Sequence, residues 1–176
     1  MTHITTLDSS IYSYLDIFTG DVSGVPAIPV ASDFASLYDG GSGSTVRLPS
    51  VREFPAIGNA ANITNVPVYG QLQSSQVAGQ SDAPTMDFTI NYVATDMTAI
   101  HALEKQEVAF RFMMTNASTS VAVGAGTTIA AENTEWYWLG KIESIQVSAS
   151  LTDATTAVVS VTIQGDFVGP ATVAAA

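Results

Sequence analysis

The 176-residue chain contains no cysteine, which excludes disulfides, thiolate metal sites and cysteine nucleophiles. Charge is also scarce, at 12% of the residues, and only five side chains are basic against sixteen that are acidic. No Lys or Arg precedes Arg47 or follows Lys141. The sequence therefore lacks the basic footprint with which proteins grip nucleic acid.

Signals for membranes and for chemistry are missing as well. No apolar stretch is long enough to cross a bilayer, and we expect no secretory signal, because no basic segment precedes an apolar run at the start. The two histidines, His3 and His101, have no catalytic partners in the pattern, and the glycine clusters at 40–44 and 124–126 lack the spacing of nucleophile or dinucleotide motifs. We expect no catalytic, cofactor or metal site.

What the chain does have is a large apolar fraction, 47%, in a length that suits one domain. With so little charge, much of the surface must consist of Ser, Thr, Asn, Gln, Ala and Gly. Such a surface is unusual for a free monomer and is typical of a protein that partners cover.

The strongest pattern lies between Trp136 and Phe167. Apolar and polar residues alternate on both sides of a short polar connection at Asp153, which predicts a long antiparallel hairpin with one dry face. The parity of the apolar row changes near Glu143 and Ser144, which predicts a β-bulge there. In the second strand the inward row is Val159, Val161, Ile163 and Phe167, and the outward row is Ser160, Thr162, Gln164 and Asp166.

Shorter patterns predict the remaining elements. Alternation predicts strands at 86–93 and 108–114, with a helix at 97–106 between them whose inner stripe is apolar. Residues 45–57 read as a bent or edge strand because two prolines interrupt them. Residues 65–72 predict another strand, 73–84 a polar loop, and 116–134 either a protruding hairpin or a contact loop.

The N-terminal part is less patterned. Ile11, Tyr14, Leu15 and Phe18 have helical spacing, but an extended arm with apolar anchors explains them equally well. A further helical turn is predicted around 34–38, before the Gly/Ser loop. We expect an N-terminal arm and loop over 1–44, a β domain over 45–168 and a C-terminal tail over 169–176.

The segment from Asp87 to Gly165 resembles the tail tube (major tail) proteins of long-tailed, non-contractile bacteriophages. The resemblance covers about the C-terminal half of the chain and follows a succession of elements and short runs. These are Phe88-Thr-Ile-Asn-Tyr, the helix Met97–Gln106, the strand Val108–Met114, Gly140-Lys-Ile-Glu-Ser, Ser150-Leu-Thr-Asp, and the closing strand Ala157–Gly165.

The resemblance implies a mainly β fold: an antiparallel, barrel-like β-sandwich with one short flanking α-helix and long loops. It implies a virion protein, assembled in the host cytoplasm, whose hexameric rings stack into the conduit for DNA ejection. The implied partners are further copies of the chain and the tail tip or baseplate, tape measure and tail terminator proteins, without membrane or cofactor. DNA would pass without specific binding, and six copies at −11 each would carry −66, which repels it.

Two sets of site residues follow from this interpretation. The polar row opposite the dry face is expected to line the lumen, and the arm, the Gly/Ser loop and the long loop are expected to make stacking contacts. The lumen candidates are Asp87, Asn91, Thr162, Gln164 and Asp166. The ring-stacking candidates are Ile11, Tyr14, Phe18, Gly41, Gly43, Val121 and Gly124.

Two alternatives stay open. A tube protein of a contractile tail or of a secretion system would share the fold. In a different class, a carbohydrate-binding or adhesin β-sandwich would use Trp136, Tyr137 and Trp138 as a stacking platform, although burial of these rings explains their parity better.

Overall fold

A computed structural model describes residues 12–39, 45–58, 62–70, 72–79, 84–115, 123, 134–150 and 152–172. Within these ranges the chain forms nine strands and two helices. In chain order they are β1 Tyr12–Phe18, α1 Ala31–Asp39, β2 Thr45–Arg47, β3 Val51–Glu53, β4 Ile63–Val66, β5 Ser75–Ala78, β6 Thr85–Asn91, α2 Ala94–His101, β7 Glu107–Thr115, β8 Thr134–Ser148 and β9 Thr156–Thr172. The fold is mainly β and antiparallel, as predicted.

Seven strands form one curled sheet in the order β2-β1-β7-β8-β9-β6-β3. The edge strands β2 and β3 are consecutive in the chain, so Arg47 and Val51 lie at most about 14 Å apart. In a flat sheet of this order, six strand spacings would separate the edges by about 29 Å. The short connection therefore requires the sheet to curl until its edges approach, which is the barrel-like form.

The main core fills the inside of this curl. Alternate residues of β6 and β9 point inward, and α2 adds Met97 and Ile100. The rings of Phe110 and Trp138 stack with centroids 5.4 Å apart, and Phe167 meets Trp138 edge-on. The buried row of β9 includes Val159, Val161 and Ile163, so the inward row predicted for this strand is confirmed.

Helix α1 covers part of the outer face of the sheet. Phe34 stacks on Tyr137 with ring centroids 5.5 Å apart, and Tyr38 packs over β1 and β7. The predicted helical turn at 34–38 is confirmed. The described residues thus contain two helices, where the sequence interpretation gave the β domain one flanking helix.

The β-bulge predicted in the long hairpin is confirmed. Ile142 faces Val161 and Ser144 faces Ser160, so Glu143 is an extra residue in β8. This insertion keeps Ile145 on the core side after the parity of the sequence changes.

The helix considered for residues 11–18 is wrong. Residues 12–18 form β1, which pairs with β2 on one side and β7 on the other, so they belong to the sheet and not to a free arm. Leu15 and Ile17 enter the main core while Asp16 is buried on the opposite face. Because both faces are covered, the strand shows no simple alternation, and its apolar residues happen to match a helical period.

Three further expectations are refined. Residues 45–57 are divided into two short strands at opposite edges of the sheet, consistent with the interrupting prolines. Helix α2 ends at His101, earlier than predicted, although Met97, Ile100 and Leu103 are buried as expected. The polar loop assigned to 73–84 is wrong for Ser75–Ala78, which forms β5 and pairs with β4.

Candidate functional site: a polar sheet face and an exposed hairpin

One uncovered surface of the sheet is mainly polar. It consists of the outward side chains of β6, the first half of β9 and the second half of β8, and we call it the polar sheet face. Cross-strand pairs place these side chains in rows, because directly opposite residues share a face. The rows are Thr85–Thr162–Lys141, Asp87–Ser160–Ser144, Thr89–Val158–Gln146 and Asn91–Thr156–Ser148.

Charges on the polar sheet face are few and mostly engaged. Ser160 donates a hydrogen bond of 2.6 Å to Asp87. Glu143 accepts one of 2.7 Å from Lys105 and lies 3.7 Å from the Lys141 amine. The hydrogen bond from Lys105 is the main reason that the pKa of Glu143 is lowered. Both lysines thus share the single negative charge of Glu143.

The structure brings most of the predicted lumen residues onto this face. Asp87, Asn91 and Thr162 lie on neighbouring strands of it, and Gln164 follows two residues after Thr162 on β9. Asp166 is exposed beyond Gly165, whose positive φ of 92° marks an irregularity in the pairing of β8 with β9. Whether this face lines a lumen remains a prediction.

A second surface was missed by the sequence reasoning. Strands β4 and β5 form a separate two-stranded sheet, the exposed hairpin, in which every strand residue is exposed. Between the strands, Tyr69 and Leu72 have relative exposures of 107% each. The signal available in the sequence was the unusual set of large apolar residues among short polar runs: Ile63, Val66, Val68, Tyr69, Leu72 and Val77.

The structure places the predicted ring-stacking residues in different environments. Phe18 packs edge-on against Tyr38 beneath α1, so the helix covers it. Tyr14 is half-buried, carries the Arg47 guanidinium 4.0 Å above its ring, and lines a cavity of about 330 Å³. The other candidates, Ile11, Gly41, Gly43, Val121 and Gly124, lie outside the described residues.

Beneath α1 runs a buried row of charges. Asp16 faces Arg47 on one neighbouring strand and Arg111 on the other. Its carboxylate accepts a hydrogen bond of 2.7 Å from Arg47 and one of 3.0 Å from Arg111. Tyr38 covers the row, with its hydroxyl donating to the Ala109 carbonyl at 3.0 Å and its ring 4.3 Å from the Arg111 guanidinium. These contacts hold α1 in one position on the sheet.

A tyrosine extends this row on β8. Tyr137 is directly opposite Arg111 and donates a hydrogen bond to buried Glu135. Burial raises the pKa values of both Tyr38 and Tyr137, so their phenols stay protonated as donors.

Neither the aromatic run nor His101 has the geometry of a ligand site. Trp138 and Tyr137 are buried, and Trp136 is half-buried against the core, so these rings offer no exposed platform. His101 is exposed, with its Nδ1 3.9 Å from Glu104. In the described part of the chain, no three His, Asp or Glu side chains converge in a way that could hold a metal ion. Nor do the described residues contain a helix with the length and hydrophobicity to span a membrane.

Two solved structures have this architecture. A chain of the SPP1 tail tube, determined by solid-state NMR and cryo-EM, matches 93% of this chain over 78% of its own length, with a TM-score of 0.54 and 11% identity. The chain has the tail-tube fold. The resemblance inferred from the sequence is thus confirmed at the level of the fold.

The second structure extends the comparison to another assembly. It is a chain of the six-fold symmetrised cryo-EM structure of the anti-feeding prophage (AFP) baseplate, with a TM-score of 0.52, 10% identity and coverage of 92% of this chain and 95% of that one. No protein-family model and no curated protein matches the sequence. The tail-tube fold therefore rests on the architecture, which both neighbours share over nearly the whole of this chain.

Proposed function

We propose that this protein is the structural subunit of a bacteriophage tail tube, in which six copies form a ring and rings stack into a hollow conduit for DNA. The observation that carries the proposal is the likeness to the SPP1 tail tube over 93% of the chain. The six-fold symmetry of the second neighbour's assembly supports rings of six. Tail tip or baseplate, tape measure and terminator proteins would then meet the ends and the lumen of the tube.

The exposed hairpin supports self-assembly. An isolated two-stranded hairpin is only marginally stable in water, and here it buries no face against the curled sheet. Large exposed apolar side chains such as Tyr69 and Leu72 mark interaction sites. In a tube, each subunit would cover the hairpin of a neighbour, and contacts that repeat from ring to ring without closing produce a filament.

The polar sheet face supports the conduit. Its hydroxyl and amide groups keep a channel wet, and Lys141 and the nearby Lys105 are paired with Glu143. Asp87 and the other exposed acids add the negative sign of a chain that carries −11 in total. A wall of this kind carries few cations and repels the DNA backbone.

Negative-stain electron microscopy of the purified, concentrated protein tests the assembly. We expect hollow tubes or six-fold rings from the wild type. The double variant Tyr69→Ser and Leu72→Ser should remain a folded monomer, because the changed side chains make no contact that the monomer needs. A wild type that stays monomeric at every concentration would contradict the proposal.

Cryo-EM of such tubes tests the conduit separately. We expect Asp87, Asn91 and Thr162 to line the channel. Finding the inward row with Val159 and Val161 in the channel would show that the wrong face was assigned.

A further inference from the structure

Arg52 occupies an unusual position at the edge of the sheet. Val51 faces Ile90 and Glu53 faces Thr89, so Arg52 is the extra residue of a β-bulge in β3. Ser50, just before β3, has a positive φ of 48°. Bulges bend a strand and re-aim a side chain, and they occur preferentially at edges and next to functional sites. The local backbone thus sets the direction of this one arginine.

Arg52 also differs from the other basic residues in having no partner. Of the five Lys and Arg side chains, it alone makes no ion pair or side-chain hydrogen bond with the described residues. The other four are paired within the chain: Arg47 and Arg111 with Asp16, and Lys105 and Lys141 with Glu143. Among the described residues, Arg52 is therefore an exposed arginine with no carboxylate partner of its own.

A cleft opens beside this arginine. It has a volume of about 550 Å³ and lies at the end of the polar sheet face, where β3 meets the turn between β8 and β9. Its other walls carry mainly groups that can hydrogen-bond. They are Asn91, Ser148, Ser150, Asp153, Ala154 and Thr156.

We propose that the Arg52 cleft is a docking site for an Asp or Glu carboxylate of a second copy of this chain. A guanidinium has a planar fork that matches a carboxylate, and neighbouring hydroxyls can satisfy the remaining oxygen lone pairs. The occupant follows from charge complementarity. Every copy carries sixteen acidic residues against five basic ones, so a charged group that a neighbouring copy presents is far more often a carboxylate than a cation. The inference rests on the proposed self-assembly and adds the contact that makes it specific.

The same imbalance explains why assembly needs this contact. Subunits at −11 each repel one another, and the repulsion must be offset by apolar burial and by the few available cations. Because the other four Lys and Arg side chains share the carboxylates of Asp16 and Glu143, Arg52 is the one of the five that can pair with a neighbour without giving up a described ion pair. A DNA phosphate is the less favoured occupant, since a single arginine on so acidic a subunit cannot overcome the repulsion of a polyanion.

Asp153 gives the cleft a negative charge, which is expected to weaken the docking of a carboxylate, whereas Arg52 is expected to strengthen it. It lines the same cleft but forms no ion pair with Arg52. If a carboxylate binds Arg52, removal of the Asp153 charge should strengthen docking or leave it unchanged. If the cleft accepted a cation, Asp153 would be the attractive group, and the signs of the two substitutions would reverse.

The first test compares critical concentrations for tube formation, measured by light scattering and sedimentation. We expect Arg52→Glu to raise the critical concentration at least about fivefold, Arg52→Ala to raise it less, and Asp153→Asn to leave it equal or lower. Glu53→Gln, an exposed change of one charge on the same strand, is the matched control, and circular dichroism melting checks that each variant folds. Equal critical concentrations for the wild type and Arg52→Glu, or the reversed pattern of signs, would overturn the inference.

The second test identifies the occupant. The variant Arg52→Lys keeps the charge and supplies an amine that carbodiimide can couple to a carboxylate in contact with it, whereas the wild-type guanidinium does not couple. Mass spectrometry of assembled tubes should find a cross-link between position 52 and an acidic residue of another copy, using mixed ¹⁴N and ¹⁵N subunits to show that it joins two chains. Coupling only within one chain would overturn the inference.

The outcomes separate the inference from the function. If every Arg52 variant formed tubes normally, the proposed docking site would be refuted, but the proposed tail-tube role would not. If the wild-type protein formed neither tubes nor rings, both the docking site and the tail-tube role would be refuted. Gel retardation of duplex DNA by the wild type but not by Arg52→Ala would assign the cleft to DNA and overturn the proposed partner.

Discussion

Removal of the Asp16 charge should be among the most destabilising single changes in this protein. Asp16 lies between two arginines on the face beneath α1 and is fully buried. Its two oxygens accept hydrogen bonds from Arg47 Nε at 2.7 Å and from Arg111 Nη2 at 3.0 Å. Asp16→Asn keeps the shape but leaves two cations facing each other through a neutral amide.

The magnitude follows from the burial of the partners. Arg111 is fully buried and loses its charge partner, a change that costs about 3–5 kcal/mol when one member of a buried ion pair is removed. Arg47 keeps access to water, with 16% of its side chain exposed, so it adds little. A domain of ordinary stability has about 5–15 kcal/mol in total, so the variant should retain only part of its folding free energy.

Urea unfolding followed by tryptophan fluorescence measures this effect, with both tryptophans inside or against the core. Arg47→Met is the comparison and should cost less than Asp16→Asn, because it leaves the fully buried pair of Asp16 and Arg111 intact. The double variant Asp16→Leu and Arg111→Met removes this fully buried pair and should be more stable than Asp16→Leu alone, because only Arg47, which keeps some access to water, is left without Asp16. A cost below 1 kcal/mol for Asp16→Asn, or additive costs in the double variant, would refute the reasoning.

Three further predictions concern the polar sheet face and the core beneath it. The pKa of Glu143 is lowered in the folded state, so its contribution to stability is present at neutral pH and is lost as the pH falls from 4.5 through the folded pKa. NMR of the side-chain carboxyl should show the titration midpoint of Glu143 moving back toward 4.5 in Lys105→Met. Gly140→Ala should cost about 1–3 kcal/mol by thermal melting, because a Cβ there would lie 2.7 Å from a backbone oxygen of β9. Asp87→Lys with Asp166→Lys should leave tubes intact in electron micrographs but impair DNA delivery, and unchanged infectivity would count against the lumen assignment.

Sequence reasoning succeeded where one face of a strand is wet and the other dry. In β6 and β9 the buried and exposed residues alternate, so parity alone gives the face of each side chain. The bulge at Glu143 was visible for the same reason, since the apolar row changes parity there. Parity therefore predicts correctly that the lumen candidates Asp87, Asn91 and Thr162 share one face of the sheet. It does not predict that this face lines a channel.

The sequence-based prediction is wrong where the hydrophobic pattern of a strand depends on a packing partner that the local sequence does not reveal. β1 is covered on both faces, because α1 packs over Asp16 while Leu15 enters the main core. The prediction for the exposed hairpin is wrong for the opposite reason. Neither face of the hairpin is buried within the subunit, so apolar and polar residues need not alternate, and the sequence of β5 resembles that of a loop. The first error arises from contacts between segments distant in the sequence, and the second from a hairpin that pairs with no other described strand.

The pairing of the basic residues could not be predicted from their positions in the sequence either, and it affects the functional conclusion most. Counting charges gives −11, but the count does not say which charges remain accessible. Asp16 engages two cations under α1 and Glu143 engages two on the polar sheet face, so two acidic residues account for four of the five. Among the five, Arg52 is the one without a carboxylate partner in the described part of the chain. We expect the surface of such an acidic chain to repel DNA and, through Arg52, to attract a neighbouring copy, which is the combination that the proposed self-assembling conduit requires.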